Sequence, residues 1–499
     1  MTDLPGGGST TGVPGTAVGI AAAVRTGRWR AVDVLREHLD RHRHTASRLN
    51  ALVQLRAAAA EDAAAVDAAV SRGAAAGLAL AGVPVSVKEC FGIRGLKTTL
   101  GIEARVPLVD DHDADLVSRL RSSGAVVVGK ANVPQAMYLH ETDNPVWGRT
   151  VHPRDRGRGP GGSSGGDAAL VAAGVVPIGV GNDLAGSLRQ PAHACGVATI
   201  MPRSTVLGEG GAFDTMPGLK AVRARAGFIA RTVDDLAVAL AATAGDACVQ
   251  SSTAAPRRVG WWIETGPIPA APGVRRAVEE AVRRLEAHGI ETTLVRQDVV
   301  TESAWLLLGI VAADGGDDVR RLFAGRRPMR GVATLLGMAG LAPRWRAAVA
   351  AVLRSLGRRI EAEGLTRTGR RSAAGLADLL AAREALAVRF ATAVAGCDAV
   401  VCPVSALPAL RHGSAARLVL AAAPCLLANL LDLPAGSVPV ATVRPDEQGG
   451  RGWSFDPVLR AAAMTNRGSG GLPLGVQVVG CPGRSEATVL EVMRLIGPG

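Results

Sequence analysis

Three stretches of this 499-residue chain carry side chains whose types and order could do chemistry. Lys88 closes the segment Gly82-Val83-Pro84-Val85-Ser86-Val87-Lys88. The turn Gly161-Gly162-Ser163-Ser164-Gly165-Gly166-Asp167 follows, and Gly181-Asn182-Asp183-Leu184-Ala185-Gly186-Ser187 echoes it. Glycine lets a backbone turn sharply and leaves its N–H groups open to a bound group. A serine in such a turn can be a nucleophile while neighbouring N–H groups hold an oxyanion. A lysine, with an ordinary pKa of about 10.4, can act as a base near neutral pH only where burial disfavours its charge. Taken singly, each turn reads as a loop with a helix-capping serine, and Lys88 as a surface residue at a strand end. Two serine turns around one strand–helix unit, with a lysine upstream, carry more weight than any one of them.

These residues need elements to hold them. Alternation in Val83–Lys88 predicts a strand with Lys88 and Ser86 on one face, opposite the valines. Ala168–Ala173 reads as a helix opened by the first turn, and Val175–Val180 as the strand leading into the second. Helices are also expected at Thr16–Arg25, Val32–His44, Leu55–Arg72, Ala114–Ser123, Val233–Ala244 with Thr232 as N-cap, and Val274–His288. Strands are expected at Ala125–Gly129, Val259–Ile263, Val400–Cys402, Ser437–Val443 and Leu474–Gly480. Strands alternating with helices predict an α/β/α sandwich around a large mixed, mainly parallel sheet. Residues 301–395, rich in Ala, Leu and Arg, read as a helical insertion beside the sheet. Pro445–Ser469 reads as a polar excursion. Residues 1–15 are expected to be disordered, and 16–499 to form one domain.

Composition narrows the function. Hydrophobic residues make up 48% of the chain and aromatics only 3%, so Ala, Val and Leu must fill a sizeable core. The net charge of +12 comes from arginines scattered along helical runs. No basic block is interleaved with aromatics and there is a single tyrosine, so the charge reads as a solvated surface and no nucleic-acid partner is expected. Seven cysteines without a C-x-x-C indicate neither a disulfide framework nor a zinc site, and the histidines lack ligand spacing. No metal or organic cofactor is expected. The absence of a signal peptide and of an apolar run of spanning length points to a cytoplasmic protein without a transmembrane segment. The chain is compatible with a homodimer.

The three stretches, in this order and with Ser163 and Ser187 24 positions apart, resemble the amidase signature family of serine hydrolases. Flanking segments strengthen the resemblance: Gly129-Lys130-Ala131-Asn132-Val133-Pro134, Asn144-Pro145, Ala230-Arg231-Thr232-Val233 and Gly471-Leu472-Pro473-Leu474-Gly475-Val476-Gln477. It runs from about Thr16 to the C-terminus and is weakest in the helical insertion. Lys88-Glu89-Cys90-Phe91, Asn132-Val133-Pro134-Gln135 and Ser163-Ser164-Gly165-Gly166-Asp167 are similar to the fatty acid amide hydrolase branch, which implies a hydrophobic acyl group.

The resemblance implies an amidase that cuts a C–N amide bond of a small molecule through an acyl-enzyme. Ser187 would be the nucleophile, Ser163 the relay and Lys88 the base. The N–H groups of Leu184, Ala185, Gly186 and Ser187 would form the oxyanion hole, and Met137 would lie by the acyl group. Asp183 and Arg189 would hold the nucleophile loop. Two departures bear on the pocket and not on the triad. Ala185 stands where the family usually has glycine, and Thr199-Ile200-Met201-Pro202-Arg203 replaces Gly-Leu-Lys-Pro-Thr. The rival readings are acyl transfer to an amine on the same site, the amidase subunit of a tRNA-dependent amidotransferase, and a catalytically silent scaffold protein. Lys-Glu-Cys-Phe and the altered Gly-Leu-Lys-Pro-Thr weigh against the amidotransferase. The complete set of Lys88, Ser163 and Ser187 weighs against the scaffold.

Overall fold

An eleven-stranded mixed sheet organises the chain in a computed structural model that describes residues 12–250, 255–295 and 299–498. In chain order its strands are β1 (Leu52–Leu55), β2 (Pro84–Lys88), β3 (Val126–Ala131), β6 (Ile178–Asp183), β7 (Ala198–Met201), β8 (Arg225–Ala230), β9 (Arg258–Trp261), β10 (Glu291–Leu294), β11 (Ala399–Pro403), β12 (Ala435–Thr442) and β13 (Pro473–Gly480). A separate hairpin pairs β4 (Asp143–Asn144) with β5 (Gly148–Arg149). The spatial order is β1-β3-β2-β6-β8-β7-β12-β13-β11-β9-β10. Parallel pairing forms two blocks, β3-β2-β6 and β11-β9-β10, and an antiparallel ladder from β6 through β13 to β11 joins them. The expected mixed α/β/α sheet is present, with its parallel character concentrated in those two blocks.

Helices cover both faces. Gly165–Ala172 and Arg189–Cys195 pack on each other and on the sheet. Pro272–Ala287, Glu486–Ile496 and Val233–Ala244 form the second layer. Every residue of β2, β3, β6, β8 and β13 is buried, as strands covered on both sides must be. Small apolar side chains suit this packing: the core is mostly Ala, Val and Leu, with few rings such as Phe91, Phe228 and Trp262. The helix Val233–Ala244 begins at the expected residue, and Thr232 Oγ1 accepts from the Asp235 N–H at 3.1 Å.

Several elements differ from the sequence reading. Leu55 ends strand β1, so the helix expected from Leu55 starts at Ala59. β1, β7, β8 and β10 were not foreseen; each is short or broken by glycine or polar residues, which blurs the period-two signal. The excursion Pro445–Ser469 contains a helix, Pro457–Asn466, whose Asp456 N-cap accepts from the Val458 N–H at 2.8 Å. Between Val299 and Ala393 the chain forms six helices and, among the described residues, no strand. Of the segment expected to be disordered, residues 1–11 lie outside the described residues, and Val13 is buried at 2% exposure. All seven cysteines are free thiols.

Candidate active site

Strand register builds the site. In the parallel pair β2–β6, Val85 faces Ile178, Ser86 faces Gly179 and Val87 faces Val180. The carboxyl ends of both strands therefore lie level, where parallel sheets place their ligands. Lys88 sits at that end and is fully buried. Its Nζ lies 2.7 Å from Ser163 Oγ, 2.6 Å from Asn182 Oδ1 and 3.2 Å from the Asn182 carbonyl. Burial pushes the lysine pKa down, against the opposing influence of Cys90, Asp167, Glu209 and Asp183. Two residues back on the same face, Ser86 Oγ donates to Asp167 Oδ1 at 2.7 Å. Burial lifts the Asp167 carboxyl to about 7. The shared face read from period two thus aims both side chains at the first serine turn and the helix it opens.

The two turns are tied to each other. The Ser164 N–H donates to the Ser187 carbonyl at 3.1 Å, and Ser164 Oγ donates to the Asn182 carbonyl at 3.4 Å. The Gly162 N–H donates to Gln190 Oε1 at 3.1 Å, and the Gly162–Ser163 peptide is cis. Ser163 is buried at 2% exposure, whereas Ser187 is half-buried.

Asp183 holds the second turn from inside. Its Oδ1 accepts from the Gly186 N–H at 2.6 Å, and its Oδ2 from the Leu188 N–H at 3.0 Å. Arg189 forks onto both oxygens at 3.0 Å and also donates to Gln477 Oε1 at 2.7 Å and to the Cys425 carbonyl at 2.9 Å. Both partners are fully buried. Burial alone would raise the Asp183 pKa, but the Arg189 guanidinium holds it well below the usual carboxylate range. Asp183 and Arg189 therefore shape the loop, as expected.

This arrangement corrects one expectation. The Gly186 N–H is already donated to Asp183, so it is not a free oxyanion donor. Those of Leu184, Ala185 and Ser187 donate to no acceptor among the described residues. The positive φ that the turn needs falls on Gly186, at 95°, and Ala185 is not among the positive-φ residues, so its methyl is tolerated. Leu184 and Ala185 pack, partly buried, on the core. His140 Nε2 donates to the Ala185 carbonyl at 3.1 Å, and burial pushes the imidazole pKa down, which favours the neutral ring.

Met137 stands apart from this network. It lies in the single turn Gln135–Met137, half-buried against the core with φ 56°. Its link to the loop is the chain leading to His140. Of the altered segment, Met201 is fully buried in β7 and Arg203 pairs with Glu486 at 2.9 Å.

Sequence reasoning overlooked Asn182 as the direct partner of Lys88, and also Glu209, whose Oε2 accepts from Asn182 Nδ2 at 3.1 Å. Asn182 lies inside a recognised motif, but it meets Lys88 only through the pairing of β2 with β6, which sets Val87 beside Val180. Glu209 follows a short helix, Ser204–Leu207, in a stretch without any signal. Among the described residues, no cluster of three or more His, Cys, Asp or Glu could hold a metal, and no helix is long and apolar enough to cross a membrane.

Known proteins are similar to this chain in sequence and in fold. The family model described as Amidase matches residues 33–490. Fatty-acid amide hydrolase 1 of Sus scrofa is 32% identical over 447 residues, covering 84% of this chain and 76% of that protein. A glutamyl-tRNA(Gln) amidotransferase subunit of Deinococcus radiodurans is 31% identical over 441 residues, covering 85% and 89%. The solved structure of a fatty acid amide hydrolase superposes with a TM-score of 0.82 at 19% identity over 97% of this chain and 85% of that one, a likeness of fold. By match and by fold, this chain belongs to the amidase family and is a hydrolase of carbon–nitrogen amide bonds.

Proposed function

We propose that the chain hydrolyses a small-molecule amide with a hydrophobic acyl group, through an acyl-enzyme on Ser187, with Ser163 as proton relay and Lys88 as base. One observation carries this reading: the fully buried Lys88 Nζ, 2.7 Å from Ser163 Oγ, has two further oxygens in reach, both on Asn182. A neutral amine has two N–H donors and one lone pair. The two donors suit the Asn182 oxygens, which leaves the lone pair facing the Ser163 hydroxyl.

Each step then follows. Ser187 Oγ attacks the amide carbonyl; its proton passes to Ser163 Oγ as the Ser163 proton passes to Lys88 Nζ. The N–H groups of Leu184, Ala185 and Ser187 are the donors left for the oxyanion, and a donor of this kind is worth about 3–4 kcal/mol of barrier. The C–N bond breaks as Lys88 returns the proton through Ser163 to the leaving nitrogen. Water, deprotonated by the same relay, cleaves the ester and frees Ser187. The hydrophobic acyl group rests on the Lys88–Phe91 motif and on the similarity to the porcine enzyme.

The test is a pH profile with variants of Lys88. Activity on amides should rise with pH through one ionisation below about 10.4. Lys88→Ala should lose that ionisation and at least about a hundredfold in rate. Lys88→Arg, which keeps a charge but cannot accept the proton, should be as impaired on amides; near-parent activity would make Lys88 a fixed charge and not a base.

A further inference from the structure

Glu209 has no place in the mechanism above, yet it is built into the same buried network. Its Oε2 accepts from Asn182 Nδ2, while its Oε1 is sealed from solvent and has no partner among the described residues. Asn182 Oδ1 in turn faces Lys88. The segment carrying Glu209 is fastened to the chain just after Lys88. The Phe213 N–H donates to the Cys90 carbonyl at 2.8 Å, and the Gly92 N–H donates to the Gly211 carbonyl at 3.0 Å. Gly208, at φ 71°, turns the chain out of the helix Ser204–Leu207 and into this position.

An asparagine amide has two nearly isosteric ends, a donor and an acceptor. Rotated by half a turn, Asn182 would present Nδ2–H to Lys88. The lysine lone pair would then turn toward that N–H and away from Ser163. A carboxylate only accepts, so Glu209 draws Nδ2 to itself and leaves Oδ1 for the lysine. Its negative charge also favours the ammonium form of Lys88.

Resting on the assignment of Lys88 as the base, we infer that Glu209 is a positioning residue of the relay: it fixes the Asn182 amide so that the Lys88 lone pair faces Ser163, and its charge sets the pH at which Lys88 releases its proton. Burial, opposed by the Asn182 hydrogen bond and Lys88, lifts the Glu209 carboxyl to about 7, so its charge is present above that pH. The other titratable groups facing this pair are Cys90 after β2, His140 after the turn Gln135–Met137, Asp167 on the helix Gly165–Ala172, Asp183 on β6 and Asp214. All of them remain in the variants below.

The experiment reads the rate at which a fluorophosphonate probe labels Ser187 from pH 5 to 10, which requires no knowledge of the substrate. Glu209→Gln keeps an acceptor for Asn182 and removes the charge. Its plateau rate should stay within about threefold of the parent, and its ascending limb should move to lower pH by at least about half a unit. Glu209→Leu removes the acceptor as well and should lower the plateau at least about tenfold. A residue needed only for folding would reduce the amount of labelled protein without moving the limb. An unmoved limb in Glu209→Gln overturns the inference, and so does a parent-like plateau in Glu209→Leu. Lys88→Ala separates the two claims. If the ionisation persists there, the assignment of Lys88 as base fails; if it vanishes there but is unmoved in Glu209→Gln, only the role of Glu209 fails.

Discussion

Replacing Asp183 by asparagine changes the shape of the anchor of the Ser187 turn hardly at all and its chemistry completely. Asp183 accepts from five donors: the N–H groups of Gly186 and Leu188, two N–H groups of Arg189, and Asn429 Nδ2. The amide of the variant would offer one oxygen. With that oxygen in the place of Oδ1, Gly186 and Asn429 keep their acceptor, but an NH2 is set against the Leu188 N–H and Arg189 Nε. Arg189, fully buried, also loses its counter-charge. Breaking a buried pair in this way costs about 3–5 kcal/mol, a large share of a typical folding stability of about 5–15 kcal/mol. Urea unfolding followed by tryptophan fluorescence should show that loss for Asp183→Asn, and fluorophosphonate labelling of Ser187 should slow at least about tenfold. The sign of the pH dependence is fixed. The native Asp183 pKa is depressed, so its contribution is fully present above the unfolded value of about 3.9 and is lost only as pH falls through the native one. The penalty should therefore be constant from about pH 5 to 8. A variant within about 1 kcal/mol of the parent that labels at the parent rate would refute the claim that this pair shapes the loop.

Gly186→Ala puts a Cβ at φ 95°, about 3.0 Å from the Cβ of Cys425, and left-handed strain alone costs on the order of 1–3 kcal/mol; kcat/KM should fall at least about tenfold, and an unchanged value would mean that the turn is not under this constraint. Across an acyl series with one amine, kcat/KM should rise by up to about 0.8 kcal/mol, or about fourfold, per methylene; a flat or falling series would point to a polar acyl group.

The lysine strand, both serine turns and the ion pair behind them were legible because each is a local pattern. Glycine and serine mark turns, period two marks Lys88 and Ser86 as neighbours, and Asp183 and Arg189 lie close together in one loop. What escaped the reading is long-range. Asn182 meets Lys88 only through the register of β2 on β6. Asn429 and Gln477 reach the Asp183–Arg189 pair from more than 200 residues away. The reading of the arginines as a solvated surface misses a buried class. Arg158, Arg189 and Arg225 are buried at 2% exposure or less and donate to main-chain carbonyls far away in sequence. Nothing in composition separates such a residue from one on a helix surface. The Gly186 donor was misjudged for the opposite reason: the loop is local, but which N–H its aspartate takes depends on the folded turn.

The central claim is that the amide's acyl group passes to Ser187. Mixing the enzyme with a chromogenic anilide of a medium-chain fatty acid, quenching in acid within milliseconds and mapping the digest by mass spectrometry tests it directly. The account predicts one acyl mass added to the peptide containing Ser187, absent in Ser187→Ala and accumulating less in Lys88→Ala. An adduct on Ser163 or Cys195, or turnover with no adduct on any residue, would contradict it.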